Sequence, residues 1–307
     1  MARRYVIWSR IDQKACVKAI FTAGMQPIVV DTLLGSNGDQ LETDEDGIRT
    51  AIKGCDREEL LCVITTTSCF APRGCDKVDV VAQICEEYDV PHVINNAYGV
   101  QASKLTHEVN EAIRIGRVDA IVQSTDKNFC VPVGGSIVAS ANEELITKVS
   151  QVYPGRASSS PIVDLFITLL SLGKEGWKEL RESRKTLMAS FREQVGNVVE
   201  KRGQRVLSSP QNPISVGFTL NSSLTTEECT EFGSKLFHRG ISGSRVIAQG
   251  SDKKIGNITF GNWGCNSGSY HTNYITCACA LGITSSDIEL FCQRLDKALA
   301  NLRKPVE

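Results

Sequence analysis

A single lysine, Lys127, lies between Asp126 and Asn128 where two apolar, β-like runs are joined in the segment AIVQSTDKNFCVPVGGSIVAS. Connections between strands favour Gly, Asn, Asp or Pro, and a lone lysine there is most often a solvated charge. Here apolar residues flank the lysine closely, so we expect its amine to be only partly solvated where one strand ends. Active sites of α/β proteins lie at such strand ends.

Three interpretations of Lys127 follow from its residue type and neighbours. It could be a surface turn residue, or it could pair with Ser124 as the Ser-x-x-Lys of a serine acyl-enzyme. That pair needs a serine at a helix start, whereas Ser124 ends a β-like run and no Lys-Thr-Gly follows. In the third interpretation the amine forms a Schiff base with pyridoxal phosphate, which requires a partly desolvated lysine.

The run VINNAYGVQ, a strand that ends in polar residues upstream of Lys127, favours the third interpretation. Asn95, Asn96, Ala97 and Tyr98 stand where the common pyridoxal-phosphate sheet fold carries Asp-x-Ala-His, whose Asp pairs with the pyridine nitrogen. An Asn in that place cannot hold the nitrogen protonated, so the ring would withdraw electrons less strongly. Read by itself, the run is equally compatible with an Asn-rich strand end and turn.

The elements around these residues alternate between β-like runs and segments of helical period through the first half of the chain. This alternation predicts an α/β fold, a mostly parallel sheet with helices on both faces. A long helical stretch, interrupted between Gly173 and Gly176, then leads to the β-like runs ISVGFTL, GSRVIAQ and NITFGNW and to a final amphipathic helix. We therefore predict a large domain over residues 1–160, followed by a linking helix and a smaller C-terminal α+β domain over 161–307.

The composition is that of a globular protein: 41% of the 307 residues are hydrophobic, and Lys plus Arg (34) nearly balance Asp plus Glu (35). With so little net charge, any contact with RNA must be local. No run is long enough to span a bilayer and no signal peptide is evident, so we expect a cytoplasmic protein without membrane contact. The 12 cysteines lie in apolar runs and lack metal-ligand spacing, which predicts free thiols and no metal site.

Several long segments resemble the archaeal and eukaryotic O-phosphoseryl-tRNA(Sec) selenium transferase family. They are YVIWSRIDQKAC, TTTSCFAPR, NNAYGVQ, STDKNFCVPVGG, YPGRAS, NPIS, SGSRV and FCQRLDKALANLRK. The resemblance implies a fold-type-I pyridoxal-phosphate transferase. It covers essentially this whole chain, whereas family members carry a further N-terminal portion that supplies most of the cofactor-phosphate pocket. We therefore expect this chain alone to hold the cofactor weakly and to lack turnover.

The resemblance also implies roles for individual residues. Lys127 corresponds to the Schiff-base lysine, Asn95 to the neighbour of the cofactor ring, and Arg156 to the arginine at the phosphoseryl group of the substrate. Three basic residues match positions that contact the tRNA: Arg114, Arg239 and Lys304. The implied partners are tRNA(Sec) carrying phosphoserine, selenophosphate as selenium donor, and further copies of the chain in a homo-oligomer, a tetramer in the family.

Two other functions stay open at this point. One is a different pyridoxal-phosphate enzyme, a lyase or a cysteine desulfurase, although no cysteine lies in a recognisable mobile-loop motif. The other is a non-catalytic fragment that keeps the fold and binds tRNA.

Overall fold

The strands and helices of the chain follow the predicted order in a computed structural model, which describes residues 4–67, 69–153 and 158–302. The strands are β1 (Tyr5–Ser9), β2 (Gln26–Val30), β3 (Leu33–Leu34), β4 (Leu41–Glu42), β5 (Leu60–Thr66), β6 (His92–Asn95), β7 (Ala120–Ser124), β8 (Ser136–Ala139), β9 (Val206–Leu207), β10 (Ser215–Thr219), β11 (Ser244–Ile247), β12 (Lys253–Ile255), β13 (Ile258–Phe260) and β14 (Tyr274–Ala278). The helices are α1 (Lys14–Thr22), α2 (Glu45–Lys53), α3 (Val78–Glu87), α4 (Ser103–Ile115), α5 (Thr125–Phe129), α6 (Glu143–Val152), α7 (Ser160–Glu200), α8 (Thr226–His238) and α9 (Ser285–Leu299).

A six-stranded sheet in the order β2-β1-β5-β6-β7-β8 forms the first half of the fold. All neighbours in it are parallel except β7 and β8, which are antiparallel. Alternate residues of β1 separate the two faces: Val6 and Trp8 pack against α1, whereas Ile7 packs against α2 and α3. The prediction of a mostly parallel sheet with helices on both faces is therefore confirmed.

A four-stranded antiparallel sheet in the order β11-β14-β10-β9 forms the second half. One of its faces packs against α7, α8 and α9 through a continuous apolar core that includes Phe191, Phe232 and Leu295. The other face lies toward the first half of the chain, where the Ser215 hydroxyl accepts a hydrogen bond of 2.7 Å from the amide of Ala71. The two halves of the chain thus contact each other along this second face of the sheet.

The division of the chain near residue 160 stays a prediction. Helix α7 begins at Ser160, and the two larger sheets lie on opposite sides of that residue in the sequence. The run NITFGNW, predicted as a β-like run of the smaller domain, lies outside the four-stranded sheet. It forms a ribbon of β12 and β13, in which Phe260 packs against Trp8 of the first sheet with ring centroids 6.1 Å apart. None of the helices described by the structure is long and apolar enough to cross a bilayer.

Candidate active site

Lys127 lies in the short helix α5, which begins directly after Ser124 at the carboxyl end of β7. Its amine donates hydrogen bonds of 3.1 Å to both the Ser124 hydroxyl and the Asp126 carboxylate. The expectation of a plain strand-to-strand loop is therefore wrong, since a helical turn forms there. The lysine side chain keeps 31% of its surface exposed, as expected for a partly solvated amine.

Asn95 ends the neighbouring strand β6, where it pairs with Val122 of β7 in the parallel register. Its Oδ1 accepts a hydrogen bond of 3.2 Å from the amide of Ala97, and its Nδ2 points to the sulfur of Cys16 at 3.3 Å. Because the backbone amide can only donate, Oδ1 is fixed as the acceptor and the NH₂ group is left as the donor on the open side. The structure thus brings Asn95 and Lys127 to one end of two adjacent strands.

A cavity of about 400 Å³ separates these side chains and is lined mostly by apolar groups. Ile64, Val93 and Val122 contribute its apolar surface, and Lys127 lies above the Tyr98 ring with the amine 5.5 Å from the ring centroid. Known small-molecule sites have similar volumes, with predominantly apolar walls and a few placed polar groups. A flat aromatic ring carrying an aldehyde fits this combination of amine, amide and apolar walls.

Asn128 holds the lysine turn against the neighbouring strand end, a role that the sequence analysis missed. Its buried side chain donates hydrogen bonds to the carbonyl oxygens of Ala97 at 2.9 Å and Ser124 at 2.7 Å. Gln101 adds a bond of 3.3 Å to the carbonyl of Lys127. The only signal in the sequence was a polar residue directly after the lysine, a feature that many surface turns share.

A fully buried ion pair joins Arg73 and Asp76 next to Cys69, one of the residues that line the cavity. The Arg73 side chain also donates to the carbonyl of Arg10 at 2.9 Å, and Asp76 accepts a hydrogen bond from Ser9 at 2.8 Å. Burial is the largest single influence on the Arg73 guanidinium and lowers its pKa, but Asp76 and Cys69 together raise it by more, so the pKa lies above its usual value. This ion pair ties the end of β1 to the loop after β5.

All twelve cysteines are free, as the sequence predicts. Burial is the main influence on each thiol and raises the pKa of every one of them. Since the thiolate is the reactive form, none of these environments activates a cysteine as a nucleophile. Among the residues that the structure describes, no group of three or more His, Cys, Asp or Glu side chains could hold a metal ion.

Of the three basic residues predicted to contact tRNA, the two that the structure describes, Arg114 and Arg239, do not line the cavity. Arg114, in the last turn of α4, is exposed and donates a hydrogen bond of 2.9 Å to Glu111. Arg239 directly follows α8, and its side chain donates to the carbonyl of Lys235 at 3.1 Å. Arg156 and Lys304 lie outside the described residues.

Comparisons with known proteins agree with this geometry. The model of the family described as "O-phosphoseryl-tRNA(Sec) selenium transferase, SepSecS" matches residues 1–300. A protein of that name from Dictyostelium discoideum is 47% identical over 312 residues, covering 96% of this chain and 65% of the relative. The Caenorhabditis elegans protein of that name is 41% identical over 298 residues, covering 97% of this chain and 61% of the relative. The chain thus spans less than two thirds of these relatives' lengths.

Solved structures give the same picture. The crystal structure of an archaeal O-phosphoseryl-tRNA(Sec) selenium transferase superposes with a TM-score of 0.84 at 31% identity, covering 96% of this chain and 64% of that one. A sphingosine-1-phosphate lyase from Burkholderia pseudomallei superposes with a TM-score of 0.67 at 17% identity, covering 97% and 63%. A PLP-bound putative aminotransferase from Clostridium difficile superposes with a TM-score of 0.66 at 14% identity, covering 97% of this chain and 72% of that one. These last two matches identify the fold alone, which is the predicted fold type I.

Proposed function

The chain belongs to the O-phosphoseryl-tRNA(Sec) selenium transferase family, and from this premise we propose that it carries the reaction centre for conversion of O-phosphoseryl-tRNA(Sec) to selenocysteinyl-tRNA(Sec). The observation that carries the proposal is the amine of Lys127 at the cavity whose other polar wall is the amide of Asn95. The cofactor is pyridoxal 5′-phosphate, which Lys127 would hold covalently through its aldehyde. When bound, it withdraws electrons from the α-carbon of the substrate.

The orientation of Asn95 determines how its amide meets the cofactor ring. With Oδ1 engaged by the amide of Ala97, Nδ2 is the atom available to a ring nitrogen. A hydrogen-bond donor favours the unprotonated nitrogen, whereas a carboxylate in this place would favour the protonated one. This arrangement suits a reaction in which a good leaving group departs at once from the β-carbon, because such a reaction needs only weak electron withdrawal.

Lys127 is the proton carrier of the site. Its Nζ, when not bonded to the cofactor, would accept the proton from the α-carbon of the bound substrate. The hydroxyl of Ser124 and the carboxylate of Asp126, each 3.1 Å from Nζ, hold the amine at the edge of the cavity. Asn128 fixes the backbone of the same turn, so the amine returns to one position after each proton transfer.

The substrates are phosphoserine esterified to tRNA(Sec) and selenophosphate, as the family resemblance implies. Arg156 recognises the phosphoseryl group, because a guanidinium fork matches the oxygens of a phosphate. Arg114, Arg239 and Lys304 contact tRNA phosphates, which position the RNA without specifying its sequence. Esterification removes the carboxylate charge of the amino acid, so a site tuned to that absence refuses free phosphoserine. The reaction takes place in the cytoplasm.

The apolar side of α7 supports a homo-oligomer. A run of side chains at helical spacing is exposed in the single chain: Ile162, Val163, Phe166, Ile167 and Leu170. Exposed contiguous apolar patches mark protein interfaces. A second copy of the chain is the occupant that the family resemblance implies.

Three competing functions make different predictions at the same site. A cysteine desulfurase needs an activated thiolate, and the burial of the thiols argues against one. The contact between Lys127 and the Ser124 hydroxyl is compatible with a serine acyl-enzyme, since Ser124 does precede a helix. A tRNA-binding fragment would not need the lysine.

Borohydride reduction in the presence of pyridoxal 5′-phosphate tests the proposal. We expect a pyridoxyl label on Lys127 in the peptide map, and none at that position in Lys127→Gln. Lys104, an exposed lysine on α4, serves as the control for nonspecific labelling and should react equally in both proteins. A label distributed over surface lysines, with none enriched at Lys127, would show that the cavity is not a pyridoxal-phosphate site and would favour the tRNA-binding fragment.

A further inference from the structure

A second, narrow cavity adjoins the Lys127 cavity between the two halves of the fold. Its volume is about 20 Å³, and it shares Ile11, Gln13, Cys69 and Phe70 with the larger cavity. That volume accommodates one water molecule or one oxygen atom of a larger group. The four-stranded sheet supplies its other wall, so this small space joins the second sheet to the reaction centre.

Arg245 and Thr276 stand side by side on that wall. They lie directly opposite each other in the antiparallel pair of β11 and β14, and opposite residues of such a pair project from the same face. Thr276 is 3% exposed, and its hydroxyl has no hydrogen-bond partner in the described part of the chain. A buried hydroxyl without a hydrogen-bond partner destabilises the folded protein, which indicates that a bound group accepts its hydrogen.

The guanidinium of Arg245 is also available to bind an anion. It is exposed, and no carboxylate pairs with it among residues 4–67, 69–153 and 158–302. The nearby carboxylate of Asp12 does not cancel its charge, because Arg10 donates to Asp12 at 2.9 Å and the amides of Gly264 and Asn266 donate at 2.8 Å each. The wall therefore presents a net positive group together with an unpaired hydroxyl.

Two aromatic rings connect Arg245 to the lysine. The guanidinium carbon lies 5.9 Å from the centroid of the Phe70 ring, Phe70 contacts Tyr98 at 5.4 Å, and Lys127 lies 5.5 Å from Tyr98. Burial raises the pKa of Tyr98, and the charge of Arg245 opposes that rise, so the field of the arginine reaches the cavity wall. Two cations thus flank one aromatic pair at the mouth of the cavity.

We propose that Arg245 and Thr276 form an oxyanion subsite for a phosphate group at the mouth of the Lys127 cavity. One oxygen of the phosphate enters the narrow cavity and accepts the hydrogen of the Thr276 hydroxyl, while the guanidinium binds the remaining oxygens. The subsite deepens the proposed function and rests on it for the identity of the ligand. Two sources have the same chemistry, the free selenophosphate donor and a phosphodiester at the 3′ end of the tRNA.

Titration with inorganic phosphate, followed by ³¹P NMR, tests the subsite without cofactor or turnover. We expect Arg245→Gln to weaken phosphate binding by about tenfold or more, since hydrogen bonds to charged groups are the strong ones. Lys297→Gln, which removes an exposed charge in the last turn of α9, should leave the affinity unchanged. Lys127→Gln should keep most of the affinity for inorganic phosphate. Loss of phosphate binding in Lys127→Gln alone would place the phosphate in the larger cavity and overturn the proposal.

Thr276→Val separates ligand binding from a structural role. The substitution removes a buried hydroxyl that has no partner, so we expect the melting temperature to stay or rise while phosphate affinity falls by about threefold or more. A purely structural threonine would, when replaced, lower the melting temperature without changing the phosphate affinity. Unchanged phosphate affinity in both Thr276→Val and Arg245→Gln would overturn the proposal.

A parallel titration with the trinucleotide CCA distinguishes the two sources. If Arg245→Gln weakens only inorganic phosphate, the subsite serves the free donor; if it weakens only the trinucleotide, it serves the tRNA end. The borohydride label at Lys127 reports separately on the proposed function. A labelled lysine with no effect at Arg245 refutes the subsite alone, and phosphate binding at Arg245 without a labelled lysine refutes the proposed function alone.

Discussion

Two neighbouring asparagines, Asn95 and Asn96, have the same side chain and different surroundings. Asn95 faces the cavity, whereas Asn96 is buried and accepts a hydrogen bond of 2.6 Å from Thr67 while donating one of 3.2 Å to Gln123. Asn95 is the last residue of β6, whereas Asn96 directly follows the strand and does not line the cavity. Only Asn95 is therefore in a position to influence a cofactor ring.

Asn95→Asp should change the protonation of the cofactor ring. A carboxylate favours the protonated pyridine nitrogen, so we expect ¹⁵N-labelled pyridoxal 5′-phosphate to be unprotonated in the parent chain and protonated in the variant. The ¹⁵N chemical shift of the bound cofactor reports this directly. Asn96→Asp is the matched control and should leave the shift unchanged; the same shift in the parent and Asn95→Asp would contradict the assigned role.

His92 is buried within the sheet and contributes to the pH dependence of stability. Its Nε2 lies 2.7 Å from the Thr65 hydroxyl and its Nδ1 lies 3.2 Å from the carbonyl of Arg117. Burial lowers the pKa of His92 from its ordinary value of 6.5 to about 4. Between these two values the unfolded chain binds a proton that the folded chain does not, so stability present above pH 6.5 is lost as the pH falls through the folded pKa.

The free energy of unfolding should therefore fall by up to about 1.4 kcal/mol per pH unit in that range because of His92. Urea unfolding of the parent and of His92→Gln at about pH 7 and about pH 5 measures this contribution. We expect a smaller difference between the two conditions in the variant. His238→Gln, which changes an exposed histidine, should behave like the parent; an equal pH dependence in all three proteins would rule out the role of His92.

At the scale of elements, the candidate site depends on where strands end and short helices begin. The carboxyl ends of β6 and β7 bring Asn95 and the lysine turn together, because parallel neighbours end at the same edge of the sheet. A single residue divides the long helix α7 into two parts. Gly173 interrupts it with φ 61° and ψ −177°, a conformation that glycine adopts far more readily than other residues.

Gly173→Ala should lower the free energy of unfolding by about 1 to 3 kcal/mol, the usual cost of a side chain in such a backbone conformation. Gly176→Ala is the matched control, because Gly176 lies within the helix and an added Cβ would meet Leu172 at an ordinary 3.5 Å. Alanine there should raise the free energy of unfolding by about 0.5 to 1 kcal/mol. Chemical denaturation measures both, and effects of the same sign would contradict this account.

At the scale of the whole molecule, the first part of α7 remains uncovered by the rest of the chain. Phe166 and Leu170 expose 62% and 68% of their surface. The second part of the same helix is different, since Phe191 and Val195 are buried in the core of the second half. One helix therefore serves both as a core element and as the proposed contact with another copy.

The double substitution of Phe166→Glu and Leu170→Glu should shift the chain toward the monomer. Two carboxylates in an apolar interface lose their hydration without gaining partners, which disfavours association. Light scattering coupled to size-exclusion chromatography measures the mass in solution. Leu33→Glu, a substitution of an exposed leucine elsewhere, should leave the assembly intact; a parent chain that is already monomeric at high concentration would contradict the proposed oligomer.

The amino-acid sequence by itself determined the order of elements and gave Lys127 and Asn95 as candidate site residues. Periodicity and local residue types are properties of short segments, so the alternation of strands and helices and the break near Gly173 could be predicted from them. Long specific segments such as NNAYGVQ and STDKNFC likewise identified the family.

The tertiary structure alone decided which distant residues meet. The support of the lysine turn by Asn128 and Gln101, the buried pair of Arg73 and Asp76, and the packing of the β12–β13 ribbon on Trp8 depend on contacts between segments far apart in the sequence. The same holds for the position of Arg245 opposite Thr276 beside the lysine cavity. A strand pairing or a shared cavity depends on how whole sheets pack, and the local pattern of a single sequence does not determine that geometry.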